Sequence, residues 1–189
     1  MKTFVRHPLL IIALVAYSLL LLFHLTQGTN QESVLQSQIT SNVSFGLPVR
    51  LIIPAINVNA SIQQVGITSK GEMEVPSNSV DVGWFKFGER PGEKGSAVIA
   101  GHFDGKNGEA GVFTDLDKLK EGDKVYIEDD KGISIAFVVQ ESRTYDPGYA
   151  DDVFSSSDGV YLNLITCDGV WDGVKKSYSK RLVVFTEQN

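Results

Sequence analysis

From Pro48 to the C-terminus the chain is a succession of short apolar and β-branched runs, each cut off within a few residues by Gly, Pro, Asn or Asp. Such punctuation leaves little room for helices of ordinary length and favours the strands of an all-β sandwich or barrel. Strands are predicted at residues 49–53, 60–65, 97–102, 124–128, 133–140, 160–166 and 182–186. The clearest alternation is Ile133, Ile135, Phe137 and Val139, one side of a half-buried strand, and Asp129-Asp130-Lys131-Gly132 just before it suits a hairpin turn. A helical turn is expected within 115–120, and a loop or short helix from Asp146. With roughly 140 residues around one core and no internal repeat, a closed or nearly closed barrel is expected, because closure removes exposed strand edges. Trp84, Phe85, Phe87 and Trp171 are expected as core or groove-lining aromatics, with the core favoured for each.

Upstream the composition changes. Residues 9–25 (LLIIALVAYSLLLLFHL) run for 17 residues without Asp, Glu, Lys or Arg, just reaching the ~17 that cross a bilayer core as a helix. Lys2 and Arg6 precede this run and no further Lys or Arg appears until Arg50, so the positive-inside bias assigns residues 1–8 to the cytoplasm and the bulk of the chain to the cell exterior. The following HLTQGTN lacks a small-x-small processing site, so an uncleaved transmembrane anchor is expected rather than a removed signal peptide. Residues 26–47 are rich in Gln, Ser, Thr and Asn without helical or alternating period and read as an extracellular tether, leaving 48–189 as the folded domain. A flexible tether of this kind has a root-mean-square span of ~25 Å. The formal charge of −6 argues against a nucleic-acid partner, whose phosphates reward basic surfaces. A single Cys excludes an internal disulfide framework and a multi-cysteine zinc knuckle.

That one Cys is placed with some chemistry around it. Cys167 follows the apolar run 161–166 and precedes Asp168-Gly169, so the thiol is expected at the exit of a strand. A lone Cys is by composition a small buried hydrophobe, yet exported proteins tend to pair cysteines or lack them, so a lone thiol outside the cell marks a candidate nucleophile. His102 closes the run 97–101; the other histidines, His7 and His24, flank the membrane segment, so His102 is the imidazole available to the external domain. A thiol of pKa ~8.5 is only a few per cent ionised at neutral pH and needs such a partner. Arg181 opens the run 182–186; in a thiol site its guanidinium would hold a substrate carbonyl or the oxyanion formed on attack.

In these contexts the sequence resembles the sortases of Gram-positive bacteria over most of residues 48–187. The family has a His after an apolar strand, a Cys closing a Thr-Leu-x-Thr-Cys strand and an Arg opening the next strand; His102, Cys167 and Arg181 stand at those positions. Leu51-Ile52-Ile53-Pro54, Met73-Glu74-Val75-Pro76, Asp81-Val82-Gly83-Trp84 and the stretch Pro91-Gly92-Glu93-Lys94-Gly95-Ser96 leading to His102 match as well, in a pattern most like class F or class E. Asn163 departs from the motif, which has Thr there, while Leu164, Thr166 and Cys167 keep it.

The resemblance implies a sortase-like closed β-barrel transpeptidase, held on the membrane by its N-terminal helix. It would cleave an LPXTG-type sorting signal of an exported protein between Thr and Gly through a Cys167 thioacyl intermediate. Transfer to an amine, from a peptidoglycan precursor or a pilin lysine, would attach the surface protein. Thr166 would line the pocket beside the thiol, and Asp104 would orient His102, although as a residue before Gly105 it equally suits a turn. No metal and no cofactor are expected. The competing readings are an extracellular cysteine protease or amidase with water as acceptor, and a catalytically silent membrane-tethered β domain in which Cys167 is unreactive.

Overall fold

The computed structural model describes residues 44–148, 151–155 and 158–188. The predicted membrane segment and nearly all of the tether lie outside the described residues, among which no helix is long and apolar enough to cross a membrane. Eight strands are present: β1 (Pro48–Ile53), β2 (Val58–Val65), β3 (Val82–Phe85), β4 (Gly95–Gly101), β5 (Lys124–Asp129), β6 (Ser134–Tyr145), β7 (Val160–Asp172) and β8 (Ser177–Gln188). They close into a barrel in the order β1-β2-β3-β4-β7-β8-β6-β5, with β5 returning to β1. The β2–β3 and β4–β7 pairs are parallel and the others antiparallel. The all-β closed barrel is thus the architecture expected from the sequence.

The alternation that predicts β6 also explains its role, because Ile135, Phe137 and Val139 point into the barrel beside Leu51, Ile53, Ile99, Ile127 and Leu164, all buried. A second, smaller apolar cluster lies apart from this core: Val98, Val153 and Val183, with Phe85, Ile165 and Phe185 packed against them. Val153 comes from the short helix α1 (Asp151–Phe154) in the β6–β7 connection. The residue that departs from the family motif pins that helix: Asn163 Nδ2 donates to Val153 O at 2.7 Å, and Asn163 is fully buried.

Several expectations need correction. β3, a four-residue strand, was not predicted, because Val82-Gly83-Trp84-Phe85 carries no alternation; it forms by parallel pairing with β2 and antiparallel pairing with β4. The strand expected to end at Thr166 runs on to Asp172, and the one expected to begin at Leu182 starts at Ser177, so Cys167 and Arg181 lie within strands. The helical turn expected near 115–120 is a single 3-10 turn at Leu116–Lys118. Trp84 is in the core, but Phe87 and Trp171 are more than half exposed, at 65% and 53%.

The end of the β5–β6 hairpin is fixed by one buried carboxylate. Asp129 accepts from Gly46 N at 2.6 Å, and from Lys131 N and Ile133 N at 2.9 and 2.8 Å, so it both shapes the turn and fastens the segment entering β1. Burial works against the charge, but the three N–H donors prevail and hold the carboxyl below the usual carboxylate range. Because the folded pKa is depressed, this contribution is complete above the unfolded value and is lost as pH falls through the folded one. Asp129→Ala is therefore expected to destabilise the domain by about 2 kcal/mol in urea titrations at neutral pH, since it removes the acceptor of three N–H groups, one of them the buried Gly46 N–H. The difference from wild type should shrink in acid.

Candidate active site

Two pairings set the site. In the β7–β8 ladder Cys167 stands directly opposite Arg181, a cross-strand relation that brings Cβ atoms within ~5.5 Å. In the parallel β4–β7 ladder the pairing runs up to Ala100 with Ile165. One step further, the Thr166 hydroxyl donates to Gly101 O at 2.9 Å, which keeps the two strands in step at the barrel rim. His102 is the next residue, immediately past the end of β4. The fold thus gathers the end of β4 and the interior of β7 and β8, which are remote in sequence.

His102 is held by its surroundings on both sides. Its carbonyl accepts from Phe113 N at 2.9 Å, and the Phe113 ring covers Gly101 so closely that a Cβ there would lie 2.5 Å from a ring carbon. The imidazole Nε2 is 2.9 Å from Pro76 O, in the loop between β2 and β3. A carbonyl oxygen only accepts, so Nε2 carries a hydrogen and Nδ1 is the nitrogen that takes up or releases a proton. On its other flank His102 forms one wall of an open groove of about 320 Å³, bounded by residues 77–79 and by the loop 104–109.

Arg181 folds back along its own hairpin. Nη1 donates to Tyr178 O at 3.2 Å and to Lys180 O at 2.8 Å, and Nη2 donates to Ser177 Oγ at 3.4 Å. Its charge still acts on the thiol. Partial burial pushes the Cys167 thiol up, Arg181 draws it down and Asp104 pushes it further up, with a net rise. The thiolate is consequently a minor form at neutral pH. Alkylation of Cys167 by iodoacetamide is expected to climb with pH through a midpoint above the ordinary thiol value. For an acid raised in the folded state, stability is unaffected below the unfolded pKa and declines as pH rises above it.

The two remaining candidates are placed differently from expectation. Thr166 is buried and points inward to Gly101 O, so it aligns strands rather than lining the groove. Asp104 accepts a 2.6 Å hydrogen bond from the Tyr178 hydroxyl, whereas the imidazole's acceptor is Pro76 O. Sequence reasoning missed Pro76 and Tyr178; the Met-Glu-Val-Pro match pointed at the first, and nothing local pointed at the second. Among the described residues no three His, Cys, Asp or Glu side chains gather into a metal-holding group.

The closed eight-strand barrel carries a half-buried thiol in β7 opposite an arginine of β8, and a histidine immediately after β4. The model of the sortase domain matches residues 51–189, and the chain belongs to the sortase family of cysteine transpeptidases. Sortase C-1 of Actinomyces oris aligns at TM-score 0.61 and 24% identity, covering 75% of this chain and 74% of that one. Sortase C of Clostridium perfringens SM101 aligns at 0.57 and 26%, covering 78% and 73%. Sortase A of Corynebacterium diphtheriae aligns at 0.58 and 21%, covering 78% and 63%, a likeness of fold. No curated protein matches the sequence.

Proposed function

We propose that this protein is a membrane-anchored sortase that cleaves an LPXTG-type signal between Thr and Gly and passes the acyl group to an amine, with its catalytic domain outside the cell. The observation that supports this reading is the cross-strand pairing of Cys167 with Arg181, with β4, which His102 follows, beside β7. Cys167 Sγ attacks the Thr carbonyl carbon as the thiol proton passes to His102 Nδ1. The C–N bond to Gly breaks, and the same nitrogen returns the proton to the departing amine. In the second half the incoming amine attacks the thioester, gives its proton to Nδ1 and expels the thiolate, which takes that proton back from Nδ1 to restore the thiol. Arg181 stabilises the oxyanion in both tetrahedral steps. The partly exposed Ile165, on the same side of β7 as the thiol, and Phe85 beside it support an apolar signal with Leu and Pro ahead of the scissile bond.

The anchor and the orientation rest on residues 1–25, and the class F or class E branch rests on the sequence around His102. The test is intact-mass spectrometry of the full chain in detergent with LPXTG-type peptides, with and without a glycine-like amine. A thioacyl adduct followed by amine-capped product is the expected result. Hydrolysed peptide alone, even with amine present, would instead indicate a protease. Arg181→Ala is expected to slow acylation by about 10² to 10³ and to move the alkylation midpoint further up, because the one attraction lowering the thiol is gone. Its thermal midpoint should change little, since Arg181 bonds only within its own hairpin.

A further inference from the structure

Tyr178 lies near the start of β8 and reaches both arms of the site. Its backbone carbonyl accepts from Arg181 Nη1. Its hydroxyl donates to Asp104 Oδ2 at 2.6 Å, joining residues 74 apart in sequence. Its ring packs edge-on against Phe103 and Trp171, with centroids 5.6 and 5.2 Å away. Phe103 and Asp104 are the two residues that follow His102. The barrel ladders do not need this contact, because β7 and β8 are paired along most of their length without it.

Building on the transpeptidase reading above, we propose that Tyr178 is a positioning residue for catalysis. Its hydroxyl straps the segment after His102 onto the β7–β8 hairpin and keeps the Asp104 carboxylate from competing for Arg181.

The charges around the thiol make the consequence specific. The groups acting on Cys167 are Arg181 and Tyr178 from β8 and Asp104 from the loop after β4. Asp104 already disfavours the thiolate, and Arg181 favours it. The hydrogen bond to Asp104, then burial, push the Tyr178 phenol up to about 12, so it stays a donor throughout the range in which a thiol enzyme works. Without that donor, the Asp104 carboxylate beside the thiol is no longer offset by the phenol O–H and is released to turn toward Arg181, whose donors are otherwise occupied by Tyr178 O, Lys180 O and Ser177 Oγ. Both changes disfavour the thiolate.

The experiment uses the full chain in detergent and the variant Tyr178→Phe, which keeps the ring contacts and removes only the hydroxyl. The rate of Cys167 alkylation by iodoacetamide is followed against pH. The midpoint is expected to rise by about one unit, with about a tenfold loss of thiolate, and of acylation rate, at neutral pH. Adding Asp104→Asn to Tyr178→Phe should bring the midpoint back to or below the wild-type value, since the offending charge is gone. An unchanged midpoint in Tyr178→Phe overturns the proposal. So does a shift that Asp104→Asn fails to reverse and that comes with a lower thermal midpoint, which would reduce Tyr178 to a packing role. Alkylation needs no peptide substrate, so absence of acylation in the wild type would defeat the transpeptidase reading while leaving the strap to be judged on its own titration.

Discussion

Cys167→Ala is expected to eliminate every covalent adduct with an LPXTG-type peptide and to lower peptide turnover by about 10⁴ or more, the scale on which loss of a nucleophile is felt. No second sulfhydryl exists to take over, since the chain has one Cys. The substitution is mild for the fold. The side chain is only half-buried, its neighbours in β7 and β8 are held by backbone ladders, and Ala removes a single sulfur atom. Thermal midpoints of variant and wild type should therefore agree within a few degrees while the mass spectrum loses its adduct. An adduct that persists in Cys167→Ala would remove the thioacyl mechanism altogether.

His102→Ala is expected to cost about 10² to 10⁴ in acylation and a comparable factor in the transfer to amine, because one nitrogen serves both proton transfers. The geometry separates chemistry from support. The side chain's hydrogen bond is to Pro76 O, while its backbone is held by Phe113 N. His102→Gln offers an N–H for Pro76 O and no basic nitrogen, so it should restore the loop contact without restoring turnover. Nitrogen-15 spectra of the wild type should show hydrogen on Nε2 and a free Nδ1 in the neutral imidazole. Normal turnover in the Gln variant, or the opposite tautomer, would dismiss the proposed shuttle.

The strands that were legible in the sequence are those in which burial and local pattern agree. In β6, Ile135, Phe137 and Val139 alternate because one side of the strand faces the core. In β7 the readable part stops at Thr166, where Leu162 and Leu164 have already filled the barrel. Beyond that the hairpin continues through Asp168, Gly169 and Trp171 on one side and Tyr178 to Lys180 on the other, with a register shift between Asp168 and Trp171. Gly169 takes φ +81, and a Cβ there would meet Ser179 Oγ at 2.4 Å. Main-chain hydrogen bonds between the two strands sustain this part of the ladder, and they leave no apolar period to read. β3 was missed for a related reason, since Val82 and Trp84 are buried with Gly83 between them and no polar face alternates.

The sequence by itself determined the short-stranded β architecture, the family contexts around His102, Cys167 and Arg181, and the supply of one thiol and one imidazole in the folded domain. These are local properties, because turn residues, β-branched runs and residue identity act over a few positions. Only the tertiary structure decided that His102 leans on Pro76, that Thr166 locks β7 to β4, and that Asp104 answers to Tyr178. Those partners lie 26, 65 and 74 residues apart. Their meeting depends on the parallel β4–β7 register and on the length of the β7–β8 hairpin, which follow from closing all eight strands around a common core and from no segment alone.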